Sequence, residues 1–282
     1  MNYGEHYRNL MSGLYTEYEL NKIRTARVAI SGVGGAIGSY LLDLLLRKGF
    51  ENFVLSDPDI YEIRNISRQL FANCRTVSKK KINIAIDHIA SINPKAHYET
   101  IECVNATTVR QFVLGADVVS HQAEGFSSWL VTLDACAKHN VPFVNAARRG
   151  NARTMIATRV YDFRATKTEF DLESIDFDSF GIPSKLSKKI VTMYKKKDID
   201  LRLLSEADRI HNNYKKDKRF LNLKHMYPEV GSIEEQYPKD YYKRYTEPEI
   251  CLLAAALAGR AITDIVIGRK TNVMEIDIFS RK

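Results

Sequence analysis

The chain has 282 residues, of which 45% are hydrophobic and 27% are charged, and these values are ordinary for a globular protein. The length suffices for one large domain or two small ones, and the composition excludes global disorder and collagen-like repeats. Four cysteines lie far apart without a C-x-x-C pair, so we expect neither a disulfide framework nor a four-cysteine zinc site. The same cysteine pattern leads us to expect a cytoplasmic location. We find no apolar run approaching about 20 residues and therefore expect no membrane span and no membrane partner.

The net charge of +8 is concentrated in one stretch of the chain. Residues 185–224 contain 13 Lys or Arg and 5 Asp or Glu, so this basic block accounts for the whole surplus, whereas residues 161–184 are acidic. Such a block attracts nucleic acid or an acidic partner, or it is simply the solvated face of helices. The sequence alone leaves both interpretations open.

In chain order, short apolar strands alternate with helices. The predicted strands are 27–31, 52–56, 97–103, 117–120, 142–145, 155–160 and 272–279, and the predicted helices are 39–47, 80–92, 129–139 and 250–267. Alternation with short connections predicts an α/β fold with a doubly wound, mostly parallel, Rossmann-like sheet. We predict a nucleotide-binding core over 1–160, an inserted, partly helical substrate region over 161–249, and a C-terminal helix and strand over 250–282 that complete the core.

A glycine-rich loop, Gly32-Val-Gly-Gly-Ala-Ile-Gly38, joins the first strand to the first of these helices. Its glycines permit a tight turn and a close approach to a phosphate, and the helix N-terminus offers free N–H groups. Asp57 ends the second strand, where it can accept hydrogen bonds from a ribose. This pattern predicts a nucleotide site without distinguishing NAD from ATP, and a tight turn with no ligand has the same pattern.

Residues beyond Asp57 favour a triphosphate. Arg68 lies on the loop that leaves the second strand, and Lys81 lies at the start of the following helix, so both can point back toward the glycine loop. The negative charge of a triphosphate needs Arg and Lys donors and Mg²⁺, whereas hydride transfer needs neither. An NAD-dependent oxidoreductase is therefore the lower-ranked alternative, and a solvated basic run is the alternative for Lys79–Lys81 taken alone.

Several motifs in register resemble the ThiF/MoeB superfamily, the adenylating domain of ubiquitin-activating enzymes. They are G-x-G-G-x-x-G-S, D-P-D, N-I-S-R-Q, a lysine and I-N-P, and the resemblance runs from about Tyr7 to Asn145. It implies a site for ATP and Mg²⁺ in which a substrate carboxylate attacks the α-phosphate, giving an acyl-adenylate and pyrophosphate.

The resemblance also implies roles for individual residues. They are Gly32, Gly34, Gly35 and Gly38 in the phosphate loop, Asp57 as the ribose ligand, Asn65, Arg68 and Lys81 as residues that hold the phosphates, and Arg8 as an arginine that reaches the ATP of a partner subunit. An arginine that acts in trans implies a homodimer.

The chain departs from the family pattern in three places. Glu124 takes the place of the magnesium-binding aspartate and is one methylene longer, so either the site has shifted to fit it or adenylation is impaired. The absence of C-x-x-C pairs speaks against the structural zinc of many relatives. Residues 151–250 contain no cysteine that could accept an acyl group, and we expect Cys251 to be buried; His121, near Glu124, is interpreted as a packing or loop histidine.

The resemblance implies a peptide or small protein as the substrate, activated at its C-terminal carboxylate. One branch of the family instead cyclises a threonylcarbamoyl group on tRNA, and the basic block favours that alternative. A third alternative is a nucleotide-binding scaffold subunit without catalysis, because Glu124 replaces the aspartate. The identity of the carboxylate stays open.

Overall fold

The computed structural model describes residues 11, 13–148, 155–164, 173, 175, 177–196, 200–226, 248–271 and 274–277. Its strands are β1 (Arg27–Ser31), β2 (Asn52–Ser56), β3 (His97–Ile101), β4 (Val118–His121), β5 (Phe143–Arg148), β6 (Met155–Tyr161) and β7 (Met274–Asp277). They form one sheet in the order β3-β2-β1-β4-β5-β6-β7. Neighbours from β3 to β5 are parallel, and β6 and β7 add to the sheet antiparallel. The predicted mostly parallel α/β sheet is confirmed.

The helices lie between and after these strands. They are α1 (Glu17–Thr25), α2 (Gly38–Arg47), α3 (Lys81–Ile92), α4 (Val109–Val113), α5 (Phe126–His139), α6 (Ser184–Lys195), α7 (Leu201–Met226) and α8 (Pro248–Ile267). The helix predicted to begin at Trp129 begins three residues earlier, at Phe126. The reason is tertiary, because the Asp208 carboxylate accepts the backbone N–H of Ser127 at 2.9 Å and so satisfies the first turn.

Helix α8 corrects one prediction. Within the described residues it is the one helix long and apolar enough to cross a membrane by length and composition, so the prediction that no stretch comes close was wrong. However, 67% of its apolar window is buried inside the fold. Its alanine-rich face packs on the leucines of α2, and a Cβ added at Gly259 would lie 3.6 Å from Leu41 Cδ1. We therefore interpret α8 as a core helix; Cys251 in its first turn is buried, as predicted.

The chain divides into two compact units. The first contains Met1–Ala123, Val131–Thr168 and Glu247–Lys282, and it includes the whole sheet. The second contains Glu124–Leu130 and Glu169–Thr246. Much of the region predicted as an insertion, including 165–172 and 227–247, lies outside the described residues, and the predicted domain boundaries stay a prediction.

The second unit has its own apolar centre. Phe126, Trp129, Phe177 and Phe180 pack around His211, with the Trp129 and Phe180 rings 4.9 Å apart. Helix α6 is amphipathic, since its apolar side chains are buried and its lysines are exposed. Helices α6 and α7 together contain most of the basic block of residues 185–224, within the insertion predicted to be partly helical.

Candidate nucleotide-binding site

The predicted nucleotide-binding residues lie near the point in the sheet where the strand order reverses. From β1 the chain proceeds to β2 and β3 on one side of the sheet, and β4 and β5 then add on the other side. In an open, parallel sheet this switch point leaves a crevice outside the carboxyl ends of the strands. The glycine loop leaves β1 at this crevice, and Asp57 follows β2.

Backbone contacts hold the glycine loop against its neighbours. The N–H groups of Gly32 and Val33 donate to the Ser56 carbonyl at 2.7 and 3.3 Å, and Gly35 N–H donates to the Gly32 carbonyl at 2.9 Å. Gly32 has a φ of +70°, which disfavours other residues. A Cβ on Gly38 would lie 2.1 Å from the Gly32 carbonyl oxygen. The conformation of the loop itself therefore requires glycine at these two positions.

Helix α2 follows directly and presents an uncapped N-terminus. Its N-cap residue, Ile37, makes no side-chain capping hydrogen bond, and of the first-turn N–H groups that of Ser39 donates to the Gly35 carbonyl at 3.1 Å. The first N–H groups of a helix have no partner within the helix, and they carry partial positive charge. An anionic phosphate above the glycine loop would accept hydrogen bonds from these groups.

Asp57 is buried, with 4% of its surface exposed. Its Oδ2 accepts the Gly34 N–H at 2.9 Å, and its Oδ1 accepts the Asp59 N–H at 3.1 Å. Burial raises the pKa of Asp57, while the charge of Lys81 and these two backbone N–H groups oppose that rise. The carboxylate thus joins the end of β2 to the glycine loop, at the place predicted for the ribose ligand.

Lys81 is the first residue of α3 and is 3% exposed, whereas Lys79 and Lys80 are exposed. Its stem lies on the glycine loop, because a Cβ added at Gly34 would lie 2.5 Å from Lys81 Cβ. Its ammonium donates to Asp59 Oδ2 at 2.9 Å. The stem of Lys81 thus lies against the loop while its ammonium pairs with Asp59, and a solvated basic run describes only its two neighbours.

Asn65 and Arg68 lie on the connection that leaves β2, as predicted. Asn65 ends a 3₁₀ turn (Ile63–Asn65), is 1% exposed, and accepts the Glu62 N–H through Oδ1 at 3.0 Å. Its amide nitrogen is buried and has no hydrogen-bond partner among the described residues. Arg68 is 4% exposed and donates from Nη1 to the Arg64 carbonyl at 2.7 Å.

A nucleotide phosphate fits these features. A buried, unpaired donor costs free energy, and an acceptor supplied by a ligand would remove that cost. The Asn65 amide nitrogen is such a donor. The start of α2, which has no side-chain cap, adds the partial positive charge of a helix N-terminus.

The remaining residues discussed in the sequence analysis are Arg8, Glu124 and His121. Arg8 lies outside the described residues. Glu124 is exposed and follows Ala123, whose backbone nitrogen would lie 2.6 Å from a Cβ on Gly32. Among the described residues no three His, Cys, Asp or Glu side chains group as a metal site. His121 is buried at the end of β4 with Nδ1 2.8 Å from Ser31 Oγ, in keeping with its interpretation as a packing histidine.

The sequence did not single out two residues that contact the predicted site residues. Asp59 pairs with Lys81, and the Tyr61 hydroxyl donates to the Gly34 carbonyl at 3.1 Å. Tyr61 lies within an ordinary loop sequence, and no spacing rule singles it out. The D-P-D motif contained Asp59, but only Asp57 had a predicted role.

The fold and this loop are those of a nucleotide-binding α/β protein. Residues 6–180 match the family model described as "ThiF family". The match covers more than half of the chain, and the protein therefore belongs to the ThiF family.

Individual relatives share part of the chain. It is 27% identical over 152 residues to tRNA threonylcarbamoyladenosine dehydratase of Bacillus subtilis (strain 168), a match covering 53% of this chain and 59% of that protein. It is 28% identical over 153 residues to the sulfur carrier protein ThiS adenylyltransferase of the same organism, covering 50% and 45%. The chain thus spans about half the length of these relatives.

A solved structure matches over most of the chain. Escherichia coli MccB, crystallised with AMPCPP and MccA, has a TM-score of 0.59 and 16% sequence identity over 97% of this chain and 69% of MccB. At this identity the likeness concerns the fold, and it extends well beyond the part matched by the relatives in sequence.

Proposed function

We propose that this protein is an ATP-dependent adenylyltransferase that activates the C-terminal carboxylate of a peptide or small protein. The carboxylate oxygen attacks the α-phosphorus of ATP, the bond from that phosphorus to the bridging oxygen breaks, and pyrophosphate leaves with the bonding electrons. The product is an acyl-adenylate. One observation carries the proposal: a buried lysine, a glycine loop and an uncapped helix start converge at the switch point of the sheet.

The proposed reaction requires no proton transfer from the substrate carboxylate to the protein. A C-terminal carboxylate is already ionised at neutral pH, so no side chain has to act as a base toward it. The barrier lies in bringing two anions together and in charge that develops on the phosphates. Lys81, Arg68, Asn65 and the amides of α2 supply positive charge and donors, and preorganised electrostatics of this kind is the main source of catalysis.

Support for ATP comes from both the site and the relatives. MccB was solved with AMPCPP, an analogue of ATP, and one relative is named an adenylyltransferase of the protein ThiS. Mg²⁺ would neutralise phosphate charge, and we propose Glu124 as its protein ligand, because a metal bound together with ATP needs few protein ligands. We propose a homodimer in which Arg8 reaches the partner's ATP.

Pyrophosphate exchange tests this function directly. We expect labelled pyrophosphate to enter ATP only when a peptide with a free C-terminal carboxylate is present, and not with the same peptides amidated. ATP binding without exchange for any free-carboxylate peptide would favour the scaffold alternative. Tight NADH binding that ATP does not displace would contradict a triphosphate site.

Arg68→Ala is expected to reduce the exchange rate by about 100-fold, because one preorganised charged donor contributes 10²–10³ in rate. Arg75→Ala is the matched control, since Arg75 lies on the same connection with an exposed side chain. We expect exchange by the control to equal that of the wild type. Equal rates in both variants would remove Arg68 from the site.

A second candidate function, tRNA modification, is favoured by one surface. Lys185, Lys188 and Lys189 lie on one exposed face of α6, at the i, i+3 and i+4 spacing of a helix. Among the described residues, none of the three pairs with a carboxylate. The Bacillus relative is named for a tRNA nucleoside.

Charge reversal of this lysine face tests the candidate. If tRNA binds there, changing the three lysines to Glu should weaken binding and lower the slope of log affinity against log salt by about 2–3, as expected for three lost phosphate contacts. The control reverses three exposed lysines of the first unit, Lys95, Lys138 and Lys270, for the same net charge. Equal effects of the two triple variants would show a nonspecific charge effect and exclude tRNA docking on α6.

A further inference from the structure

Tyr61 lies between the glycine loop and Lys81, and none of the motifs quoted for the family resemblance gives it a role. It is 1% exposed. Its hydroxyl donates to the Gly34 carbonyl at 3.1 Å, and its ring centroid lies 5.9 Å from the Lys81 ammonium. One side chain therefore touches both elements that are proposed to hold the phosphates.

The backbone around Tyr61 explains this position. Ile60 and Lys80 form an antiparallel bridge. Tyr61 N–H donates to the Lys79 carbonyl at 2.9 Å, and Ser78 N–H donates to the Tyr61 carbonyl at 2.8 Å. This short ladder ties the segment after Asp57 to the start of α3, so that Tyr61 and Lys81 face the glycine loop together.

Gly34 is held from two sides as a result. Its N–H donates to Asp57, and its carbonyl accepts the phenol of Tyr61. A Cβ at Gly34 would lie 2.9 Å from the Tyr61 oxygen, so the contact depends on glycine. With both polar groups of Gly34 occupied, the orientation of the adjoining peptide units is restricted, and these units lead into the uncapped start of α2.

We propose that Tyr61 is a positioning residue for the phosphates of ATP: its hydroxyl sets the orientation of the glycine loop, and its ring supports the Lys81 ammonium. This inference rests on the proposed function. The ring face favours a nearby cation, and at 5.9 Å this attraction is available to Lys81. Burial, and to a lesser degree the charge of Asp57, raise the pKa of Tyr61, so the phenol remains a neutral donor across the pH range of an assay.

The test compares ligands that differ only in their phosphates. Dissociation constants of Mg²⁺-ATP and of adenosine are measured by calorimetry for the wild type, Tyr61→Phe and Tyr61→Leu. Tyr61→Phe removes the hydrogen bond and retains the ring, and Tyr61→Leu removes both. We expect ATP to bind about 5–10-fold more weakly to Tyr61→Phe, as for the loss of one hydrogen bond, and more weakly still to Tyr61→Leu. Adenosine affinity should stay the same in both.

A merely structural role would give another result. Tyr161→Phe is the control, because Tyr161 lies on β6, away from β1 in the strand order, and packs on Phe143 and Phe163. It should bind ATP like the wild type. Equal weakening of ATP and adenosine, or wild-type ATP affinity in a folded Tyr61→Phe variant, would overturn the inference. If the wild type itself does not prefer ATP to adenosine, the proposed function fails before Tyr61 is considered.

Discussion

Lys81→Ala is expected to weaken ATP binding by about 10–100-fold, because a hydrogen bond to a charged group contributes roughly 1.5–3 kcal/mol. Pyrophosphate exchange should fall by about 100-fold or more, because Lys81 is proposed to stabilise charge that grows in the transition state. Lys81 is buried, and its stem lies against Gly34. Calorimetry with ATP and labelled pyrophosphate exchange measure the two effects.

Two adjacent lysines provide the control for this experiment. Lys79 and Lys80 carry the same charge within two residues of Lys81, but both are exposed. Lys79→Ala and Lys80→Ala should each retain ATP affinity within about twofold, since exposed charges are screened by solvent and salt. Similar losses in all three variants would show that general positive charge, rather than a buried contact, attracts the nucleotide, and would contradict the proposed site.

Gly38→Ala is the second substitution with a large expected effect. The new Cβ would lie 2.1 Å from the Gly32 carbonyl oxygen and 2.9 Å from its carbon, and both are backbone atoms that cannot rotate away. Overpacking of this kind costs about 1–3 kcal/mol and more where the backbone must move. We expect the melting temperature to fall by about 2–4 °C for each kcal/mol and ATP binding to be lost. Thermal unfolding and calorimetry test both parts.

Gly259→Ala separates steric conflict from the general effect of removing a glycine. Gly259 lies inside α8, and an added Cβ would meet Leu41 Cδ1 at 3.6 Å, an ordinary contact. Alanine is favoured over glycine in a helix by about 0.8–1 kcal/mol, so this variant should be slightly more stable and bind ATP normally. A stable Gly38→Ala variant that binds ATP would show that the loop is not held as the structure describes.

The Lys81 experiment depends on an arrangement of four neighbouring residues. Gly34 lies between Asp57 and Tyr61, and Lys81 covers it from the side of α3. Asp59 balances the charge of Lys81 at the solvent side, with a 60% exposed carboxylate. Because Asp59 is exposed, water can solvate it if Lys81 turns to a phosphate, so the pair does not prevent nucleotide binding.

Much of the fold was predictable because its strands and helices have strong local patterns. β1 and β2 have the predicted bounds, since each is a short apolar run that ends at a glycine or an aspartate. α3 begins one residue after its predicted start and ends before Asn93-Pro94, where a proline disfavours helix in the residue before it. The start of α5 was missed because Asp208, 81 residues away from Ser127, stabilises it.

The statement that no apolar stretch approaches the length of a membrane span was wrong for a different reason. α8 has enough apolar residues for a membrane span because a core helix between a sheet and another helix is apolar on most of its faces. Length and composition do not distinguish these two environments. Its burial against the leucines of α2 does.

The sequence by itself determined the alternation of strands and helices, the glycine loop and the position of Asp57, because these depend on local pattern and fixed spacing. The candidate roles of Asn65, Arg68 and Lys81 came from the resemblance of its motifs to a known family. Only the tertiary structure decided that Lys81 is buried while Lys79 and Lys80 are exposed, that the amide nitrogen of Asn65 has no partner among the described residues, and that Tyr61 reaches Gly34. The physical reason is that burial and hydrogen-bond partners are set by segments that are distant in sequence and adjacent in space. A spacing rule identifies which residues can reach a phosphate, and packing determines which of them are held there.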